Sequence, residues 1–92
     1  MKQVKLAKMK EKEVGKITHF YDKISVGVVA LTNNLKVGDK IHIQGAHDDF
    51  EQTVGSMQLE HEDVKEGKKG HQIAIKVDKQ VHDNDRVLKM ED

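Results

Sequence analysis

The sequence predicts an all-β domain, a sandwich or a barrel, and three observations carry that prediction. Eleven Val and six Ile against five Leu dominate the apolar set, and β-branched side chains suit a pleated, half-buried surface. Apolar positions alternate with period two in Ile24–Ala30, Ile41–Ile43 and Ile73–Val77, instead of recurring every three or four residues as in a helix. Six such runs are separated by turn-forming clusters at a spacing of roughly 8 to 12 residues, which is the rhythm of sandwiches and barrels. A barrel is the preferred reading, because closure removes unpaired edges.

Each element follows in order. Met1 to Glu13 carries five lysines and two glutamates around few apolar residues, and is expected to be a basic, flexible arm before a single domain over residues 14–92. Val14–Tyr21 is the first strand. Ile24–Leu31 is the second, with Ile24, Val26, Val28 and Ala30 expected to face inward. Thr32-Asn33-Asn34 forms a turn, and Gly38 before Asp39 is expected at positive φ, where glycine carries no steric penalty. Lys40–Gly45 is the third strand, and Ala46–Asp49 connects it to the longest candidate, Phe50–Glu62. The apolar parity of that run changes between Val54 and Met57, so Gly55 is expected to be a bulge. Asp63–Lys69 is a charged loop closed by Gly70, His71–Val77 is the fifth strand, Asp83-Asn84-Asp85 is a turn, and Arg86–Met90 is the sixth strand.

Composition narrows the function classes. Ninety-two residues hold one small domain. Sixteen Lys and Arg balance sixteen Asp and Glu, which argues against a uniformly basic nucleic-acid binder. The absence of cysteine removes disulfides, thiolate ligands and thiol nucleophiles, and fits a reducing compartment. No run approaches the ~18 apolar residues of a membrane span, and the lysine-rich start lacks the apolar core of a signal peptide. The expectation is a cytoplasmic protein with no membrane partner.

The chemistry-bearing residues point away from catalysis. A phosphate-cradling loop requires G-x-x-x-x-G-K-[ST]; Gly67-Lys68-Lys69-Gly70 lacks both the spacing and the hydroxyl, so no nucleotide is expected. Six histidines, at 19, 42, 47, 61, 71 and 82, form no H-x-H or H-E-x-x-H pair, so neither a metal nor any other cofactor is expected. Asp48-Asp49 and Glu60–Asp63 read as solvated acids, because acid–base chemistry needs one carboxyl desolvated against its partner. Ser25 and Ser56 lack the strand-turn-helix context of a hydrolase nucleophile. Three aromatics and one arginine leave little for base stacking or bidentate phosphate contact. Salt-sensitive contacts to RNA would then come from the arm and from Lys65, Lys68 and Lys69.

Leu35-Lys36-Val37-Gly38-Asp39-Lys40-Ile41-His42-Ile43-Gln44-Gly45, then Thr53-Val54 and Ser56-Met57, then Glu66-Gly67-Lys68-Lys69-Gly70, and finally Asp83-Asn84-Asp85-Arg86-Val87 resemble, in that order, domain 2 of the translation elongation factor Tu family. The chain is also similar to the small C-terminal barrel of collagenase-like peptidases. The first resemblance implies a six-stranded closed antiparallel β-barrel that touches the aminoacylated end of transfer RNA. Where the GTPases carry glycine-arginine-glycine between their first two strands, this chain has Tyr21-Asp22-Lys23. An inherited surface would comprise that loop, Tyr21 and Lys23 included, with His19, Gln58, Glu60 and His61. The resemblance implies a non-enzymatic translation-type module that binds RNA, the ribosome or a translation-linked protein. The alternative is a protein-interaction module working in trans with a larger enzyme such as a collagenase-like peptidase.

Overall fold

A computed structural model describes residues 10–91. The strands are β1 (Lys10–Tyr21), β2 (Val26–Leu31), β3 (Leu35–Lys36), β4 (Lys40–Gln44), β5 (Asp49–Thr53), β6 (Met57–Leu59), β7 (Glu62–Asp63), β8 (Glu66–Gly67), β9 (Gln72–Lys76) and β10 (Arg86–Glu91). No helix occurs among the described residues, as the all-β expectation requires. Eight strands form one antiparallel sheet in the order β5-β4-β10-β1-β2-β9-β6-β7, and β3 and β8 form a separate pair.

β1 organises the sheet. Its twelve residues pair with β10 over the first half and with β2 over the second, with register shifts between Glu13 and Gly15 and between Ile17 and His19. Such shifts bend a strand and increase its twist, which lets one long strand serve two neighbours around a curve. The expected arm is shortened accordingly: Lys10–Glu13 pair with Leu88–Glu91, while residues 1–9 lie outside the described residues.

The curl brings the first strand of the sheet order against the sixth. Buried Gln52 of β5 donates from Nε2 to the Lys76 carbonyl of β9 at 2.9 Å and accepts from the Asp78 N–H at 2.8 Å. A side chain thus stands where a ladder would be. Among the described residues no ladder joins β5 to β9 or to β6, so the expected six-stranded closed barrel is not formed by backbone pairing. Ten strands replace the expected six, partly because Phe50–Glu62 breaks into β5, β6 and β7. The break falls at Val54–Ser56, and the change of apolar parity read there is real: Gln52 and Val54 are buried on one side of it, Met57 on the other.

Val14, Ile17, Val29, Leu31, Leu35, Ile41, Ile43, Val54, Met57, Ile73, Ile75, Val77, Val81 and Val87 form one continuous core. Burying such a side chain stabilises the fold by about 1.5–3 kcal/mol each before entropy is counted. Ile41, Ile43, Ile73, Ile75 and Val77 face inward as expected. β2 does not. Its buried residues are Gly27, Val29 and Leu31, whereas Ile24, Val26, Val28 and Ala30 face outward. Both parities of β2 are apolar, so alternation alone could not choose between them, and pairing decides: Val29 lies opposite Ile17 on one side and Ile73 on the other. A one-residue slip would turn every one of these side chains over.

Candidate functional site

The inverted parity of β2 leaves apolar side chains on the outside of the sheet. Tyr21 lies opposite Val26, Val26 opposite Lys76, and Gln58 opposite Ala74, so β1, β2, β9 and β6 present these residues on one outer face. They line a groove of about 630 Å³ together with Ile24, Ser56, His61 and Ile75. Ile24 and Tyr21 are 57% and 50% exposed, the two large hydrophobic side chains left so open among the described residues. Contiguous exposed apolar surface of this kind marks interaction sites.

The lips of the groove are tight turns. Tyr21 accepts a backbone hydrogen bond from Ile24, and Ser25 in the same turn has φ 55° while its carbonyl accepts from Val77. Across the groove, Glu60 and His61 connect β6 to β7 with φ 51° and 67°. Two consecutive left-handed residues are what a type I′ hairpin demands, usually of Asn-Gly. Non-glycine residues in that region are strained, and such strain concentrates at functional sites.

The residues expected from sequence divide into two groups. Tyr21, Gln58 and His61 line the groove. His19 packs against Tyr21 with ring centroids 4.3 Å apart, Lys23 sits in the turn of one lip, and Glu60 in the other. The lysines do not join them. Lys65 lies in a small depression beside Val37 and Val64, the Lys68 N–H donates to His71 Nδ1 at 3.1 Å, and Lys69 borders a different hollow with Lys12 and Lys89. They form no single basic patch with the groove. Sequence reasoning missed Ile24, Val26 and Ala74, and the signal was present: a strand apolar on both parities must either be covered on both faces or offer one of them to a partner.

A second cluster is polar. The connection between β4 and β5 brings Asp48 to His82, whose Nδ1 lies 2.7 Å from Asp48 Oδ2. The His82 N–H donates to Asp85 Oδ2 at 2.9 Å, within a turn whose Asn84 has φ 75°. Asp85 is buried at 3% exposure, and the rings of His47 and His82 stand 5.3 Å apart. Burial pushes the Asp85 carboxyl up, reinforced by its hydrogen bond with Asp48. Burial also pushes Asp48 up, but the Asp85 and His82 hydrogen bonds outweigh it and hold Asp48 below its ordinary value. The Asp48 bond raises His82. One expectation is corrected here: Asp48 is not a solvated acid, its side chain being 9% exposed.

A third polar contact spans the sheet. His42 of β4 bonds Glu11 through Nδ1 at 2.8 Å and Asp49 through Nε2. Because His42 pairs with Leu88 and Glu11 with Met90, the link arches over β10. The Asp49 hydrogen bond, helped by Glu11 and opposed by burial, raises the His42 pKa.

No family model matches the chain. The chain is 39% identical over 82 residues to an uncharacterized protease of Methanocaldococcus jannaschii, a match covering 88% of this chain and 20% of that protein. It therefore spans about one fifth of the length of the curated relative it matches. In structure it is similar to the C-terminal domain of a Geobacillus thermoleovorans protein described as a U32 peptidase, with TM-score 0.80 over 85% of this chain and 91% of that domain at 15% identity. The selenomethionine variant of that domain gives 0.79 over 83% and 96% at 14% identity. These likenesses support the resemblance to a peptidase C-terminal module and not the one to elongation factors; the fold is that of the peptidase C-terminal domain.

Proposed function

We propose that this chain is a non-catalytic, cytoplasmic binding module of U32-type peptidases, and that its groove docks onto the remainder of such an enzyme. The observation that carries the reading is the outward apolar face of β2, with Ile24 and Tyr21 half exposed beside Val26 and Ala74. The choice of partner is supported by the archaeal protease, in which the matched stretch accounts for only 20% of a longer protein. An apolar groove with polar Gln58, His61 and Lys76 at its margins has the make-up of a protein interface, an apolar centre within a polar rim. RNA and ribosomal partners gain no support from the groove, which none of Lys65, Lys68 and Lys69 lines.

The test is calorimetric titration of the chain into the archaeal protease produced without its matched stretch. Saturable binding that changes little with salt and weakens at least tenfold in Ile24→Asp is the expected result. Absence of a complex, or binding that Ile24→Asp leaves intact, defeats the docking reading. Tight binding to RNA with affinity falling steeply as salt rises would restore a nucleic-acid role.

A further inference from the structure

We propose that Asp48, His82 and Asp85 form a binding site for a first-row divalent cation of the zinc type. One ligand atom from each of the first three lies within 4.8 Å of the others. Bonds of ~2.0–2.2 Å in tetrahedral geometry place donors roughly 3.2–3.6 Å apart, a spacing that lies between the 2.7 Å separation of His82 Nδ1 from Asp48 Oδ2 and the 4.8 Å span of the cluster. Two carboxylate oxygens and one imidazole nitrogen suit Zn²⁺, Co²⁺ or Mn²⁺. Calcium asks for six to eight oxygens, and without cysteine no soft thiolate site is available.

The chain builds this cluster deliberately. A Cβ at Gly45 would stand 1.8 Å from Asp85 Oδ1, so the hairpin after β4 admits the Asp85 carboxylate only because residue 45 has no side chain. The Gly45 N–H in turn donates to the Asp48 carbonyl at 2.8 Å. His82 donates its backbone N–H to Asp85 Oδ2 and holds Asp48 with its ring. These bonds, with the one from Gly45, hold the three residues together.

Charge supplies the independent reason. Two carboxylates face each other with Asp85 buried and the Asp48 side chain 9% exposed. Among the described residues no lysine or arginine pairs with either; the ion pairs of Lys40, Arg86 and Lys89 go to Glu51, Glu13, Asp39 and Glu91. The His82 ring is the side chain that pairs with Asp48. Adjacent carboxylates in a poorly solvated place require a proton or a cation between them, and the His82 side chain, 44% exposed, leaves a path for an ion to enter. A bound ion would tie the β4–β5 connection to the turn before β10, segments whose partners Asp48 and His82 are 34 residues apart.

The experiment titrates ZnCl₂ and CoCl₂ into the full chain after chelator treatment, read by calorimetry, by the visible spectrum of bound Co²⁺ and by the thermal midpoint. The expected result is one ion per chain, a four-coordinate Co²⁺ spectrum, a raised midpoint, and affinity at least tenfold weaker in both His82→Gln and Asp48→Asn. His82 is exposed, so its variant folds whatever becomes of Asp48→Asn, and circular dichroism verifies this. His71→Gln serves as the control and is expected to bind as the parent does. Affinity unchanged in His82→Gln, equal loss in His71→Gln, or no binding at micromolar metal would overturn the proposal. A matching response to CaCl₂ would overturn the zinc-type assignment.

Discussion

The groove and the Asp48–His82–Asp85 cluster treat polarity in opposite ways. The groove leaves apolar Ile24 and Tyr21 half exposed among the described residues. The cluster draws charged groups out of water and gives each a partner. An exposed apolar side chain costs the free chain hydrophobic burial that a partner can return, whereas a desolvated carboxylate is tolerated only when its surroundings are complete. The groove therefore behaves as a surface awaiting contact, and the cluster as a joint holding two loops together. Substitutions of the exposed groove residues Ile24 and Tyr21 are expected to weaken docking and spare stability, and those at the cluster to lower stability or metal affinity and spare docking.

The largest effect lies beneath the groove. Ile75 forms part of its floor and is 1% exposed in the core, so Ile75→Ala is expected to lower stability by about 2–5 kcal/mol in a denaturant titration by opening a cavity. An unchanged midpoint would mean that β9 does not face inward. Next comes Gly45→Ala at the joint, where the new methyl group meets the Asp85 carboxylate. Overpacking of this kind costs about 1–3 kcal/mol, measured as a fall in thermal midpoint. Gly55→Ala, with nothing within 4 Å of the added carbon, separates this effect from a general cost of losing glycine.

A smaller effect depends on pH. The His42 pKa is raised above its ordinary 6.5 by Asp49 and Glu11, so the folded protein holds a proton there that the unfolded chain releases more readily. The resulting stabilisation is fully present below pH 6.5 and fades as pH rises through the higher folded value. Parent protein is expected to lose more stability between about pH 5.5 and 8 than His42→Gln does, by thermal melts across that range. Equal slopes would show that the link over β10 contributes nothing. The smallest expected change in stability is that of Ile24→Asp, within about 0.5 kcal/mol of the parent. A large destabilisation would place Ile24 in the core, and with it would fall the contrast between surface and joint.

Much of this fold is legible residue by residue. Ile41 and Ile43 sit between Lys40, His42 and Gln44, and Ile73, Ile75 and Val77 alternate with Gln72, Ala74 and Lys76, so each run states which side belongs inside. Gly38 at φ 100° and the turn around Asn84 at φ 75° follow from turn chemistry in the same local way. β2 was ambiguous because Val26, Val28 and Ala30 compete with Val29 and Leu31. The Phe50–Glu62 run looked continuous because Glu60 and His61 are unusual residues for a two-residue turn. The Asp48–His82–Asp85 cluster was invisible because Asp48 lies in one connection and His82 with Asp85 in another, 34 residues on, each unremarkable alone.

Local pattern along the chain establishes that it forms strands, roughly where they run, and which aliphatic residues make most of its core. Alternation and turn preference depend on neighbours within a few residues, so they can be read along the chain. Long-range packing settles which face of β2 turns outward, how Gln52 stands in for a missing ladder, and that Asp48 meets His82. Those outcomes depend on pairing between strands distant in sequence, where a shift of one position inverts a face and no local pattern records the choice.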